Sequence, residues 1–216
     1  MADFVLYSYF RSSASYRVRI ALHFKKIPFE YRPVHLLNHG GEQHSVDYMS
    51  LNPSREVPTL IHKGQVLAQS MAILEYLDEV GTEPKLFPKD PVARAKVRQF
   101  CEVINCLQPM QNLRTVQYLS DEIKATEAQK QAWLDRWLGR GFESLEALLT
   151  KNAGTYSYGS QVSAADCFLA PQIFAARRFN IKLERFERCL AVLENLEKLE
   201  AFKKAHPLNQ PDTPAN

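Results

Sequence analysis

A chain of 216 residues, 45% apolar and 24% charged, is long enough for one large or two small domains with real cores. Its formal charge of +3 is not gathered into a basic block, which argues against nucleic acid as a partner and mildly favours small anions. No apolar run is long enough to span a membrane, and the first residues lack a charged-then-apolar leader pattern, so the expected location is the cytoplasm.

The chain opens with Phe4 to Tyr9, rich in β-formers and free of Gly and Pro, which predicts a strand. A serine-rich turn, Ser12-Ser13-Ala14-Ser15, leads into a helix whose apolar positions, Val18, Ala21 and Leu22, recur at helical spacing as far as Lys26. Ile27-Pro28 breaks that pattern, and Phe29 to Val34 alternates as a second strand, completing a βαβ unit with parallel strands. His35 to Gly41 reads as a loop, and Glu42 to Leu51 as a short, weakly amphipathic helix. Val57 to His62, the turn Lys63-Gly64 and Gln65 to Gln69 form a predicted β-hairpin. The isomer of Val57-Pro58 is open: trans is the default, whereas cis would leave the Val57 amide and carbonyl available to an extended peptide ligand. A helix follows from Ser70, the natural N-cap, to Glu79.

Pro84, Pro88 and Pro91 mark a linker. Beyond it the pattern is helical: Val92 to Leu119, broken or bent near Pro109, Ala125 to Leu149 with Trp133 and Trp137 on one face as core or subunit contact, and a helix reaching Arg178 with a bend at Pro171. That last helix opens on the capping box Ser163-Ala164-Ala165-Asp166. Further helices fall within 189–205, and the proline-rich stretch from His206 is expected to be irregular. Cys101, Cys106, Cys167 and Cys189 show no paired spacing and read as reduced core residues. No combination of His, Cys and carboxylates has a metal-ligand spacing, so no metal is expected.

The candidate site lies where the strand meets the first helix. A helix start exposes unpaired N–H groups and a partial positive charge, which suits an anion, and adjacent hydroxyls add directed hydrogen bonds. The absence of a glycine-rich cradle argues against a triphosphate, and a single thiolate fits better. The simpler reading is that Ser12 or Ser13 only caps the helix. Gln69-Ser70 opens a second helix start of the same kind.

The order βαβ, hairpin opened by Val-Pro, helix opened by Gln-Ser resembles the thioredoxin-like half of cytosolic glutathione transferases. Ser12-Ser13-Ala14-Ser15-Tyr16-Arg17-Val18-Arg19-Ile20-Ala21-Leu22 is similar to the zeta-class signature, and Gln210-Pro211-Asp212-Thr213-Pro214 is also like zeta proteins. Ala14 departs from the pattern, standing where that class usually has cysteine. The resemblance implies an α/β thioredoxin-like N-terminal domain (1–82), a linker (83–90) and an all-α C-terminal domain (91–216), acting as a homodimer. It implies glutathione as cofactor, held by residues 12–17 (Ser12, Ser13, Ala14, Ser15, Tyr16, Arg17), Gln43, Val57, Gln69 and Ser70, with Gln108 and Asn112 lining the pocket. Ser12 and Ser13 would stabilise the thiolate, with Ser12 the principal hydroxyl, and Arg178 would bind a small anionic substrate, Arg11 being a second cation. The implied reaction is cis-trans isomerisation of maleylacetoacetate, with maleylpyruvate the nearest alternative. A thiol-disulfide reductase of the same fold would need a cysteine at the first helix, and a non-catalytic relative would be expected to lose the serines; neither matches Ser12 to Ser15.

Overall fold

The computed structural model describes residues 3–214. Tertiary contacts divide the described residues into two compact units, the first holding residues 3–87 together with 197–214, the second running Pro88–Leu196.

In the first unit, β1 (Phe4–Ser8), α1 (Ser13–Phe24) and β2 (Phe29–Pro33) form the expected βαβ unit, with β1 and β2 parallel from Phe4↔Phe29 to Ser8↔Pro33. β3 (Thr59–His62) runs antiparallel to β1 and joins β4 (Gln65–Ala68) through Lys63 and Gly64, both at positive φ. A two-residue loop with both φ values positive matches the right-handed twist of the strands it joins. The sheet order is β2-β1-β3-β4. Leu6, Leu60, Val18, Ile20, Leu22, Ile73, Leu74 and Leu77 are fully buried, the last three from α3 (Ser70–Val80).

The predicted helix over 42–51 is instead a short 3₁₀ turn, Glu42–His44, followed by α2 (Val46–Leu51). Ser45 separates them because its hydroxyl accepts from the Tyr48 amide and so starts a new helix. Ser70 is not the N-cap of α3; Gln69 holds that position, at φ 68 and ψ 116, without a capping side chain. Val57-Pro58 is cis, against the default for X-Pro.

The stretch read as a linker is tied to the first unit as far as Phe87. The Asp78 carboxylate accepts from the Leu86 and Phe87 amides (2.7 and 3.2 Å) and from Lys25 Nζ (3.1 Å), which also donates to the carbonyls of Thr82 and Pro84. The segment expected to belong to the helical domain after residue 196 also packs elsewhere. α9 (Glu200–Ala205) lies against α1, and Asp212 accepts from the Phe10 amide at 2.9 Å and the Tyr31 hydroxyl at 2.6 Å.

The second unit is helical: α4 (Pro91–Gln111), α5 (Leu113–Asp121), α6 (Glu127–Asn152), α7 (Ala164–Arg178) and α8 (Glu187–Leu196). The break or bend expected near Pro109 is a break, and it falls at Asn112, three residues on. Asn112 adopts φ −68, ψ 160 and caps α5 by accepting from the Thr115 amide, so a capping side chain and not the proline ends α4. α7 continues through Pro171. Trp133 and Trp137 form an edge-on pair at 5.8 Å, and Trp133 donates to the Met110 carbonyl. Cys101, Cys167 and Cys189 are buried as expected, but Cys106 is exposed, since it falls on the outer face of α4.

Asp166 is fully buried and accepts from the Ser157 amide (2.8 Å), the Ser163 amide (2.7 Å) and the Ser163 hydroxyl (3.0 Å). The carboxylate thus starts α7 and also ties down the preceding loop. Asp166→Ala strands two buried amides, and the expected loss of stability is about 2–4 kcal/mol in urea unfolding.

Candidate active site

The end of β1 carries the chain through Tyr9, Phe10 and Arg11 to Ser12, the N-cap of α1. Ser12 takes this place because its β-region backbone (φ −69, ψ 120) turns its hydroxyl oxygen back onto the Ser15 amide at 3.2 Å. The simple capping role therefore holds. It does not use up the hydroxyl, because an oxygen that accepts from an N–H still has its own hydrogen to donate, and accepting polarises that hydrogen toward donation. Among the described residues the Ala14 amide has no hydrogen-bond partner, so the first turn of α1 offers a backbone donor beside the Ser12 hydroxyl.

The second helix start also leaves donors open, but without a capping side chain. The amides of Ser70, Met71 and Ala72 have no partners among the described residues, and no side chain caps them. Gln69, exposed just before them, holds a backbone conformation that costs a non-glycine residue about 1–3 kcal/mol. The two starts are physically joined. Arg17 is 1% exposed, and its Nη1 donates to Ser70 Oγ at 3.1 Å, so a buried cation links the first turn of α3 to α1.

Val57 and Gln43 complete this side of the unit. Val57 packs in one cluster with Tyr9, Phe10, Val34 and Tyr48, and Leu36 lies against that cluster. The Tyr48 hydroxyl and the Asn52 amide both donate to the Glu56 carbonyl, at 2.6 and 2.8 Å, and so pin the loop that presents Val57. Neither the amide nor the carbonyl of Val57 is hydrogen-bonded among the described residues. Gln43 is buried and donates to the Leu36 carbonyl, while its Oε1 has no partner among the described residues. A side chain on Gly41 would run into that Gln43 amide at 2.4 Å, so the small residue and its φ of 104 fit the glutamine in place. Ser15 Oγ is likewise buried without a partner among the described residues.

These groups fit an extended peptide thiol with carboxylates. The cluster offers one unpaired backbone amide–carbonyl pair, two helix starts with open donors and a capping hydroxyl. Of the residues the sequence singled out, the structure gathers Ser12, Ser13, Ala14, Ser15, Tyr16, Arg17, Gln43, Val57, Gln69 and Ser70 in the first unit, while Gln108, Asn112 and Arg178 belong to the second. Asn112 is committed to capping α5, and the exposed Arg178 sits with its guanidinium 5.2 Å from the Phe179 ring. Arg11 lies 5.9 Å from the rings of both Tyr9 and Phe10.

Sequence reasoning placed Arg19 and Asp212 in motifs but assigned neither a role. Arg19 is 0% exposed and donates to Ser8 Oγ and to the carbonyls of Tyr9, Phe10 and Ala205. Burial lowers its pKa to about 10, against the pull of Tyr31, Tyr16 and Asp212, so it stays cationic at neutral pH. No local signal marks either residue, since the partners that define each lie far along the chain.

Comparison with known proteins bears on this geometry directly. Residues 2–79 match the family model of the glutathione S-transferase N-terminal domain and residues 131–195 that of its C-terminal domain. A probable maleylacetoacetate isomerase 2 of Drosophila melanogaster is 43% identical over 97% of this chain and 90% of its own length. The rat maleylacetoacetate isomerase is 43% identical over 98% of this chain and 95% of its own. Among solved structures, a holo maleylpyruvate isomerase described as a bacterial zeta-class glutathione transferase superimposes with a TM-score of 0.93 at 39% identity, covering 97% of this chain and all of that one. A maleylacetoacetate isomerase of Methylobacterium extorquens AM1, solved with malonate and GSH bound, gives 0.92 at 33% identity, covering 98% of this chain and all of that one. With two near-complete relatives of this kind and a serine-capped helix start at the end of β1, the chain belongs to the glutathione S-transferase family, in its zeta class with the maleylacetoacetate isomerases.

Proposed function

We propose that this protein is a glutathione-dependent cis-trans isomerase acting on maleylacetoacetate in the breakdown of tyrosine and phenylalanine. The observation that carries the reading is Ser12, whose hydroxyl oxygen is engaged by the Ser15 amide while its hydrogen remains to be donated. Glutathione, when bound, supplies a thiolate that adds reversibly to the cis double bond, allows rotation about it and leaves it trans. The protein's part is to make that thiolate abundant near neutral pH. A free thiol has a pKa of about 8.5, and a hydroxyl donor together with the positive end of a helix lowers such values. Ser12 is the principal donor, assisted by Ser13 and by the Ala14 amide.

Val57 pairs with the peptide backbone of the tripeptide, Ser70 and Gln69 receive its γ-glutamyl carboxylate, and Gln43 serves its glycyl end. Ser15, Tyr16 and Arg17 support this set from α1, Arg17 through its bond to Ser70. Arg178 supplies the cation for the substrate's carboxylates, with Arg11 as a second, and Gln108 and Asn112 line the substrate side. The protein works as a homodimer in the cytoplasm; no helix among the described residues is long and apolar enough to cross a membrane.

The test is a direct assay of maleylacetoacetate and of maleylpyruvate, with and without glutathione. Turnover of maleylacetoacetate that requires glutathione supports the reading, a preference for maleylpyruvate replaces the substrate, and turnover without glutathione overturns the mechanism. Ser70→Ala is expected to raise the KM for glutathione about tenfold and to leave kcat at saturation unchanged, since it removes binding that ground and transition states share. Steady-state kinetics over a glutathione series checks this. Arg178→Ala is expected to raise the KM for the dicarboxylate while calorimetry finds glutathione binding intact.

A further inference from the structure

The turn that delivers Ser12 is held by two charged side chains, one of them from the far end of the sequence. Phe10 donates its amide to Asp212 Oδ2 at 2.9 Å, across 202 positions of chain. The other carboxylate oxygen, Oδ1, accepts from the Tyr31 hydroxyl at 2.6 Å, which fixes the carboxylate against β2. From the other side the buried Arg19 guanidinium takes the carbonyls of Tyr9 (3.2 Å) and Phe10 (2.9 Å) and the Ser8 hydroxyl (3.1 Å), and reaches the Ala205 carbonyl (3.0 Å). The Tyr9 carbonyl accepts in addition from the Ser12 amide at 3.0 Å. Ser12 is therefore attached to the Arg19–Asp212 frame through a single shared carbonyl and two peptide units.

We propose that Asp212 is a positioning residue for Ser12: by fixing the Phe10 peptide it sets the direction of the Ser12 hydroxyl and hence how well that hydroxyl stabilises the thiolate. The inference rests on the glutathione reading of the site. Its physical basis is that a hydrogen bond to a developing or resident anion loses most of its value when donor direction is wrong, and a displacement of about 1 Å from a distant change can cost on the order of 10²-fold in rate. Asp212 acts only through the backbone, and touches no reacting atom. The segment that carries it is itself anchored, with Gln210 Nε2 donating to the carbonyls of Lys204 and His206 and the Thr213 hydroxyl donating to that of Pro207.

Three variants and two readouts test it. In Asp212→Ala the kcat/KM for maleylacetoacetate is expected to fall about 10- to 100-fold, the acid limb of its pH profile to move to higher pH, and glutathione affinity by calorimetry to stay within about twofold. Asp212→Asn keeps an acceptor for the Phe10 amide and a donor toward the Tyr31 oxygen, so it restores most of the rate. Tyr31→Phe, which leaves the Phe10 bond in place, shifts the acid limb less, in the same direction; it stands in for Asp212→Ala should that variant not fold. A merely structural role for Asp212 lowers the melting temperature and leaves the acid limb where it was, and that result overturns the proposal. The second readout is amide hydrogen exchange over residues 9–16, expected to quicken in Asp212→Ala or, in its place, Tyr31→Phe; unchanged exchange overturns the positioning role whatever the kinetics. A parent protein that binds no glutathione overturns the functional reading instead, and exchange alone then decides the positioning role.

Discussion

Ser12→Ala is expected to lower kcat/KM for the glutathione-dependent isomerisation by about 10²–10³-fold, the range seen when one aligned donor to an anion is removed. The acid limb of the pH profile should move upward, because the thiol regains a pKa nearer its free value and less of it is ionised at a given pH. Removing the hydroxyl also removes the cap on the Ser15 amide, worth about 1 kcal/mol, so a loss of rate could reflect a frayed helix. Ser12→Asp separates the two effects. Aspartate caps as well as serine and favours the positive end of the helix, so thermal stability should return to near the parent value. Its fixed negative charge opposes a thiolate, however, and the rate should stay low. A parent-like rate in Ser12→Ala would mean that Ser13 or the Ala14 amide carries the thiolate.

The largest expected effect on stability is at Asp78. Its partner Lys25 has a fully buried side chain, and the carboxylate also takes the Leu86 and Phe87 amides. Asp78→Ala leaves a cation and two amides short of a partner in the interior, and the expected loss is about 3–5 kcal/mol, a large part of what a typical domain has. The double replacement Lys25→Met/Asp78→Leu removes the charge with its partner, and it should recover much of that loss. Urea unfolding of the parent, the single and the double variant measures both. Equal losses in the single and double variants would show that the amide contacts, and not the stranded ammonium, set the cost.

What could be read from residue order differs in kind from what could not. Strand, helix and hairpin boundaries came from spacing and from breakers such as Ile27-Pro28 and Lys63-Gly64, and these are local quantities. Ser12 was legible as a cap for the same reason, since its preference depends on the next three residues. Ser70 misled because a serine before an apolar run is ordinarily the cap, whereas here Arg17, 53 positions away, takes its hydroxyl and Gln69 bears the unusual backbone. Ser45 and Asn112 interrupt the predicted helices by capping the helix that follows, a bond that competes with helical continuation and that periodicity does not resolve. Arg19, Asp78 and Asp212 lay beyond reach because each is defined by distant partners. A charged residue in a pattern is assigned to the surface until a fold shows it enclosed.

The first unit draws on both ends of the chain: α9 lies against α1, and Ala205 and Asp212 supply bonds to Arg19 and Phe10. During synthesis the β-sheet segments emerge first, yet Arg19 lacks its Ala205 acceptor until the whole helical stretch between Pro88 and Leu196 has been translated. The opening segments thus complete their interior only once the chain has reached residue 205, and a chain interrupted before that point presents an unfinished interior of the kind that chaperones and proteases act on.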